Sequence, residues 1–164
     1  MEITVLVAIV AGASALLGVL VAQAAAMLQS WLDRRNKREI LLRTKYEELG
    51  QHFLASIEMP GRLLKCTTHE EIQGALHQTA ASQAQLLALI YFPPLREPIR
   101  RYVASYQNLC LATTTIYYQR PDGQVVGERV HGHPDYQVAM DAHVSERENL
   151  ATEIENHAPT YAKS

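Results

Sequence analysis

The chain has 164 residues, of which 48% are hydrophobic, and its 15 basic and 17 acidic residues give a formal net charge of -2. This length allows one ordinary domain plus an appendage. Two isolated cysteines, Cys66 and Cys110, exclude a disulfide framework and a paired-cysteine metal site.

The charge is unevenly placed along the chain. Residues 33–45 are mainly basic, whereas residues 135–155 are mainly acidic. Segments of opposite charge attract each other, either within one subunit or between subunits.

The amino-terminal stretch is free of charge from Ile3 to Leu32. As a helix it would reach about 45 Å, which exceeds the hydrocarbon core of about 30 Å. The stretch therefore predicts a transmembrane helix over residues 1–32. A cleaved export signal is the alternative, because small residues near Ala22 fit a cleavage site, but Glu2 and the absence of preceding basic residues argue against it.

Basic residues follow the predicted span, and none precedes it. The positive-inside rule then places the protein in the inner (cell) membrane as a single-pass protein, with its N-terminus outside and its C-terminal domain in the cytoplasm. The residues expected to contact lipid headgroups are Trp31, Arg34, Arg35, Lys37 and Arg38.

Small residues recur at every fourth position of the predicted span, at Ser14, Gly18, Ala22 and Ala26. Such a stripe lets helices approach closely in lipid, and Gln23 could hydrogen-bond across the contact. The pattern predicts a homo-oligomer with these five residues at its interface.

Residues 33–158 show the periodicity of a bundle of about four helices, followed by a flexible tail over 159–164. The first helix should end at Pro60 and Gly61. Its predicted inward face comprises Leu42, Tyr46, Leu49, Phe53 and Ile57. The second should be capped by Thr67 or Thr68, with Glu70 or Glu71 as the reciprocal partner. Its predicted inward face comprises Ile72, Leu76, Thr79, Gln83, Leu86 and Ile90.

The third helix has the most regular spacing, and we expect it to reach about Tyr118. Its predicted inward face comprises Leu95, Ile99, Tyr102, Tyr106, Leu109, Thr113 and Ile116. A short β-hairpin over 113–130 is an alternative, because β-branched runs flank a turn signal at Pro121. The last helix should begin at Pro134 or Asp135 and end before Pro159. The predicted fold class is all-α.

Two motifs suggest chemistry. His131, His133 and Asp135 have a spacing seen in some two-metal hydrolases, but the chain lacks their large sandwich, so a surface loop without a metal is preferred. Arg62 and His69 loosely resemble the Arg-x(4 to 6)-His signature of the helical HEPN ribonucleases, although Leu63 replaces the polar residue that commonly follows the arginine. That resemblance would imply RNA cleavage at paired motifs of two subunits.

Three functions follow from these patterns. The first is a non-enzymatic membrane protein whose span self-associates and whose bundle binds a cytosolic partner or senses a signal. The second is an oligomeric membrane effector that forms a pore or depolarises the membrane in bacterial defence, and the third is a HEPN-like ribonuclease. We expect the lipid bilayer and further copies of the chain as partners, no nucleic acid, and no cofactor.

Overall fold

Helices form the regular secondary structure of the chain. The computed structural model describes the backbone of residues 2–77, 79–119 and 125–162, and the side chains of residues 18–77, 79–118 and 125–162. The α-helices are α1 (Glu2–Leu63), α2 (His69–Leu76), α3 (Ala80–Tyr91), α4 (Arg96–Gln119), α5 (Val126–Val130) and α6 (Pro134–Tyr161), with a 3-10 turn at Pro93–Leu95. The all-α prediction is confirmed for these ranges, which contain no strand.

The chain divides into two compact units. The first, Met1–Leu41, holds the amino-terminal part of α1, and the second, Leu42–Ser164, holds the remaining part of α1 and the other helices. The hydrophobic core lies in the second unit.

The predicted membrane span is contradicted. In the part of the chain that the structure describes, no helical stretch combines the length and the apolarity needed to cross a bilayer. The predictions of a single-pass inner-membrane location and of a membrane-effector function are therefore wrong. The side chains of residues 3–17 lie outside the described residues.

Helix α4 is the centre of the core. It packs along α6, and α3, α5 and the 3-10 turn also lie against it. All seven residues predicted to face inward on this helix and the preceding turn are buried, from Leu95 to Ile116. This prediction is confirmed, because alternating steps of four and three residues keep one face of a helix toward its neighbours.

The part of α1 in the second unit also follows its predicted pattern. Tyr46, Leu49 and Phe53 are buried, and Leu42 and Ile57 are half-buried. The predicted end at Pro60 is wrong by three residues, since α1 continues to Leu63 with the proline inside its last turns.

The predicted second helix is divided into α2 and α3. Thr68 caps α2 and exchanges hydrogen bonds with Glu71, so the predicted capping box is confirmed. After the break, Ala81, Ala84 and Ala88 face the core, whereas Leu86 and Ile90 are more than half exposed. The predicted inward face is therefore wrong beyond Ile72, because the break rotates α3 relative to a continuous helix.

The β-hairpin predicted over 113–130 is not supported. The structure assigns 113–119 to α4 and 126–130 to α5, and residues 120–124 lie outside the described residues. The short helix α5 is held to the turn that follows α1 by backbone hydrogen bonds, from Gly127 N to the Leu64 carbonyl (2.8 Å) and from Val126 N to the Cys66 carbonyl (3.0 Å). A β-carbon at Gly127 would lie 3.0 Å from the Leu64 oxygen, so a larger residue would have to push this carbonyl away by a few tenths of an ångström.

Helix α6 begins where predicted, with Pro134 in its first turn and a His133 nitrogen accepting from the Asp135 amide. It continues past Pro159 to Tyr161, three residues beyond the predicted end at Ala158. Tyr161 stacks on Tyr46, with ring centroids 5.3 Å apart, and contacts Phe92 in an edge-to-face arrangement, with ring centroids 4.9 Å apart. These aromatic contacts explain why the last turn is retained.

The burial pattern of α4 predicts the effect of two leucine substitutions. Leu109 is 1% exposed and Leu111 is 66% exposed on the same helix. Leu109→Ala should lower the free energy of unfolding by about 2–5 kcal/mol, because it removes buried contacts and leaves a cavity. The matched control Leu111→Ala should change it by about 0.5 kcal/mol or less. Urea denaturation measures both, and equal losses would contradict the described core.

Candidate functional site

The first unit presents an unpartnered apolar surface. Every described side chain from Gly18 to Leu41 is exposed. The large apolar residues among them are Val19, Leu20, Val21, Met27, Leu28, Trp31, Leu32, Ile40 and Leu41. Met27 is 73% exposed and Trp31 is 56% exposed, which is unusual for side chains of this size.

These apolar side chains are not distributed evenly around the helix. At about 100° per residue, one arc of about 160° contains eight apolar residues between positions 18 and 32. They are Leu20, Val21, Ala24, Ala25, Met27, Leu28, Trp31 and Leu32. Gln23, Gln29 and Ser30 lie outside this arc, together with Val19, Ala22 and Ala26. The large apolar side chains of residues 18–32 are thus concentrated on one side of the helix, with Val19 as the exception. Residues 18–38 are here named the amphipathic segment, and the eight residues form its apolar arc.

The small residues predicted to form the oligomer interface lie on the other side of this helix. Gly18, Ala22, Gln23 and Ala26 all fall outside the apolar arc, and the side chain of Ser14 lies outside the described residues. No contact of these residues tests the predicted interface, which stays a prediction. The arc of larger side chains is a second and wider surface that a search for small residues overlooks.

Basic residues follow the apolar arc along the helix. Arg35 forms an ion pair with Glu39 (3.0 Å), and its guanidinium lies 5.8 Å from the Trp31 ring centroid. Within the described residues, Arg34, Lys37 and Arg38 have no ion-pair partner. No contact of these residues tests their predicted binding of lipid headgroups, which stays a prediction.

A groove lies between α4 and α6 in the second unit. Its volume is about 550 Å³. The lining residues are Arg101, Ala104, Ser105 and Asn108 of α4, and Asp135, Val138, Ala139, Ala142 and Glu146 of α6. One end carries an ion pair between Arg101 and Glu146 (3.3 Å), and the other end carries Asp135, whose side chain is 81% exposed.

Beneath the groove lies a buried polar network. The Ser105 hydroxyl donates to the Tyr102 carbonyl (2.8 Å) and lies 3.5 Å from Nδ1 of His143, at the outer limit of a hydrogen bond. The Tyr102 hydroxyl lies 2.7 Å from Oγ of Ser56. The His143 ring packs against Tyr102 and Tyr106, with centroids 5.3 and 6.0 Å away. These contacts fix α6 against α4.

Burial shifts the pKa values of the titratable side chains in and around this network. The pKa of His143 is lowered from its ordinary value by burial and, to a smaller extent, by the nearby Arg147. Burial raises the pKa of Tyr106 and raises that of Cys110 to about 11. His143 therefore stays neutral when α6 is docked, and the thiol of Cys110 stays protonated and unreactive.

The histidines of the predicted hydrolase-like spacing lie at the start of α6. His131 is exposed, and Nδ1 of His133 lies 3.9 Å from the Asp135 carboxylate. Across the described residues, no group of three or more His, Cys, Asp or Glu side chains is positioned to hold a metal ion. His133 serves as the amino-terminal cap of α6 instead.

Arg62 and His69, the two residues with HEPN-like spacing, have different partners. Arg62 pairs with Glu58 of its own helix (2.8 Å). His69 contacts the Tyr118 hydroxyl (2.5 Å) through Nδ1 and Gln73 (2.9 Å) through Nε2. Because both ring nitrogens already have side-chain partners, this geometry gives the ribonuclease interpretation no support.

Comparisons with known proteins assign neither a family nor a function to this chain. No protein-family model matches the chain, and neither the curated proteins nor the solved structures give a match. The function must therefore be argued from the two surfaces themselves.

The buried histidine predicts how stability depends on pH. The unfolded chain takes up a proton on His143 near pH 6.5, whereas the folded protein resists it to lower pH. Stability that is present above about pH 6.5 is therefore lost as the pH falls below that value. Urea denaturation at several pH values measures this slope.

Two variants isolate the contribution of His143. His143→Leu should flatten the pH dependence, because the titrating group is gone. His131→Leu, at an exposed position, should leave the slope unchanged. Identical slopes in His143→Leu and the unmodified protein would show that another group causes the effect.

Proposed function

We propose that this protein is a self-assembling helical module, in which the amphipathic segment of one copy packs on a second copy. The observation that carries the proposal is the apolar arc, whose large side chains are half or more exposed. A helix with an apolar stripe of this width normally buries it against other elements. The proposal retains the expectation of a homo-oligomer, but it no longer depends on association within lipid.

The hydrophobic effect supplies the driving force. Met27, Leu28 and Trp31 lie within about one turn of one another, and each is more than half exposed. Full burial of a large apolar side chain contributes about 1.5–3 kcal/mol. Burial of only these residues would offset a substantial part of the entropy lost on association.

The charges of the chain favour a second copy as the occupant. Arg34 has no ion-pair partner among the described residues, and it follows the apolar arc directly. The chain also carries an exposed carboxylate in the first turn of α6, that of Asp135. One copy therefore offers both members of a complementary pair, an apolar and basic helix and an acidic helix surface.

Placing a charge inside the apolar arc should dissociate the assembly. Leu28→Glu should weaken self-association by at least about 2 kcal/mol, or roughly thirtyfold, because a carboxylate would lose its hydration in the interface. Ala22→Glu adds the same charge outside the arc and should have little effect. Light scattering after size-exclusion chromatography, over a range of concentrations, measures the mass of each variant.

The control also tests the interface predicted from small residues. If Ala22→Glu dissociates the assembly and Leu28→Glu does not, the small-residue stripe is the interface and the apolar arc is not. A protein that stays monomeric at every concentration would refute self-assembly altogether.

A further inference from the structure

We infer that the amphipathic segment binds in the α4–α6 groove of the second copy, with Arg34 against Asp135. This inference rests on the proposed self-assembly and names the surface that receives the segment. Four properties of the two surfaces support it: the width of the arc, the shape of the groove, the spacing of side chains and the position of charge.

The width of the apolar arc indicates a groove between two helices. A two-stranded coiled coil buries only a narrow seam, whereas this arc covers about 160° of the helix. Leu20, Met27 and Trp31 form one half of the arc, and Val21, Leu28 and Leu32 form the other. Each half can cover one wall of a groove, so a single partner helix would leave one half exposed.

The shape of the α4–α6 groove suits an incoming helix. Ala104, Ala139 and Ala142 line it, and small side chains allow the axes of helices to approach closely. Val138 projects from its rim and is 71% exposed. On the amphipathic segment, a shallow hollow is lined by Ala26, Met27, Ser30, Trp31 and Arg34. This hollow lies at one edge of the apolar arc, next to Met27 and Trp31, and would receive the valine side chain in the proposed contact.

The spacing of the contact residues agrees between the two helices. Met27, Trp31 and Arg34 are separated by steps of four and three residues. Ala142, Val138 and Asp135 are separated by the same steps in the reverse direction. Each set spans about 10.5 Å along its helix. When the segment runs antiparallel to α6, a single register therefore brings Met27 to Ala142, Trp31 to Val138 and Arg34 to Asp135.

The charges of the groove select this direction. Arg34 would meet the exposed Asp135 when the segment runs antiparallel to α6. In the opposite direction it would lie at the end where Arg101 and Glu146 already neutralise each other, so it would meet no free carboxylate there. The carboxylate of Glu146 at that end is already paired with Arg101 and is less available.

The contact joins two different surfaces, the amphipathic segment of one copy and the α4–α6 groove of another, so it allows two kinds of assembly. Two copies can exchange segments reciprocally and close as a dimer, or each copy can bind the next in an open series. In both cases every copy supplies one segment and one groove.

A charge-exchange experiment tests the contact between Arg34 and Asp135. Arg34→Glu and Asp135→Lys should each weaken self-association at least about tenfold, because each places like charges together. An equimolar mixture of the two variants should regain association. In the mixture, the segment of the Arg34→Glu chain meets the groove of the Asp135→Lys chain with opposite charges, and the reciprocal contact is unmodified. Sedimentation velocity measures the complexes.

Matched controls separate this contact from a change in net charge. Lys37→Glu lies on the same segment outside the apolar arc, and Asp141→Lys lies on α6 away from the groove. Neither should weaken association more than about twofold, as is usual for rim charges. If the controls match the test variants, or if the mixture gains nothing, the inference is overturned.

Disulfide trapping then identifies the surfaces directly. Met27→Cys chains mixed with Ala142→Cys chains should form mixed disulfides under mild oxidation, whereas Ala22→Cys with Ala142→Cys should not. The native Cys66 and Cys110 are buried, and burial raises the pKa of both thiols, which keeps them out of the reaction.

The outcomes distinguish the inference from the proposed function. If Leu28→Glu dissociates the protein while Asp135→Lys and the mixed disulfide show no effect, self-assembly stands and the groove is the wrong receptor. Disulfides formed only between two Met27→Cys chains would show that two segments pair with each other. A monomeric protein would overturn both proposals.

Discussion

The contacts of Tyr102 hold together the three long helices of the core. Its hydroxyl lies 2.7 Å from Ser56 of α1, and its ring lies 5.3 Å from both Phe53 of α1 and His143 of α6. A fully buried tyrosine needs a partner for its hydroxyl, and Ser56 provides one. Because Tyr102 and His143 fix α6 against α4, the groove on the outer side of these helices also depends on them.

Sequence periodicity predicted the elements with regular spacing and missed those that depend on tertiary contacts. The inward face of α4 and the preceding turn was predicted correctly, because seven residues from Leu95 to Ile116 are spaced in alternating steps of four and three. The division between α2 and α3 was missed because neither proline nor glycine marks it. Alanines replace larger residues in the core there, and Leu86 and Ile90 remain exposed. The retained turns at Pro60 and Pro159 show that tertiary packing can override a local stop signal.

The candidate site could be predicted only in part. The absence of charge over residues 3–32 suggested a membrane span. The apolar arc could also have been found from the sequence, by placing residues 18–32 around a helix at about 100° per residue. The uneven distribution of charge was visible, but the groove was not. Arg101 and Asp135 are separated by more than thirty residues, and only the packing of α4 on α6 places them along one surface.

The single tryptophan of the chain provides the most direct measurement. Trp31 lies in the apolar arc and is 56% exposed. If the arc is buried between copies, Trp31 fluorescence should shift to shorter wavelength as protein concentration rises, in parallel with the mass from light scattering. An emission maximum that stays at the value of an exposed tryptophan while the mass increases would contradict the account, because the copies would then associate through another surface.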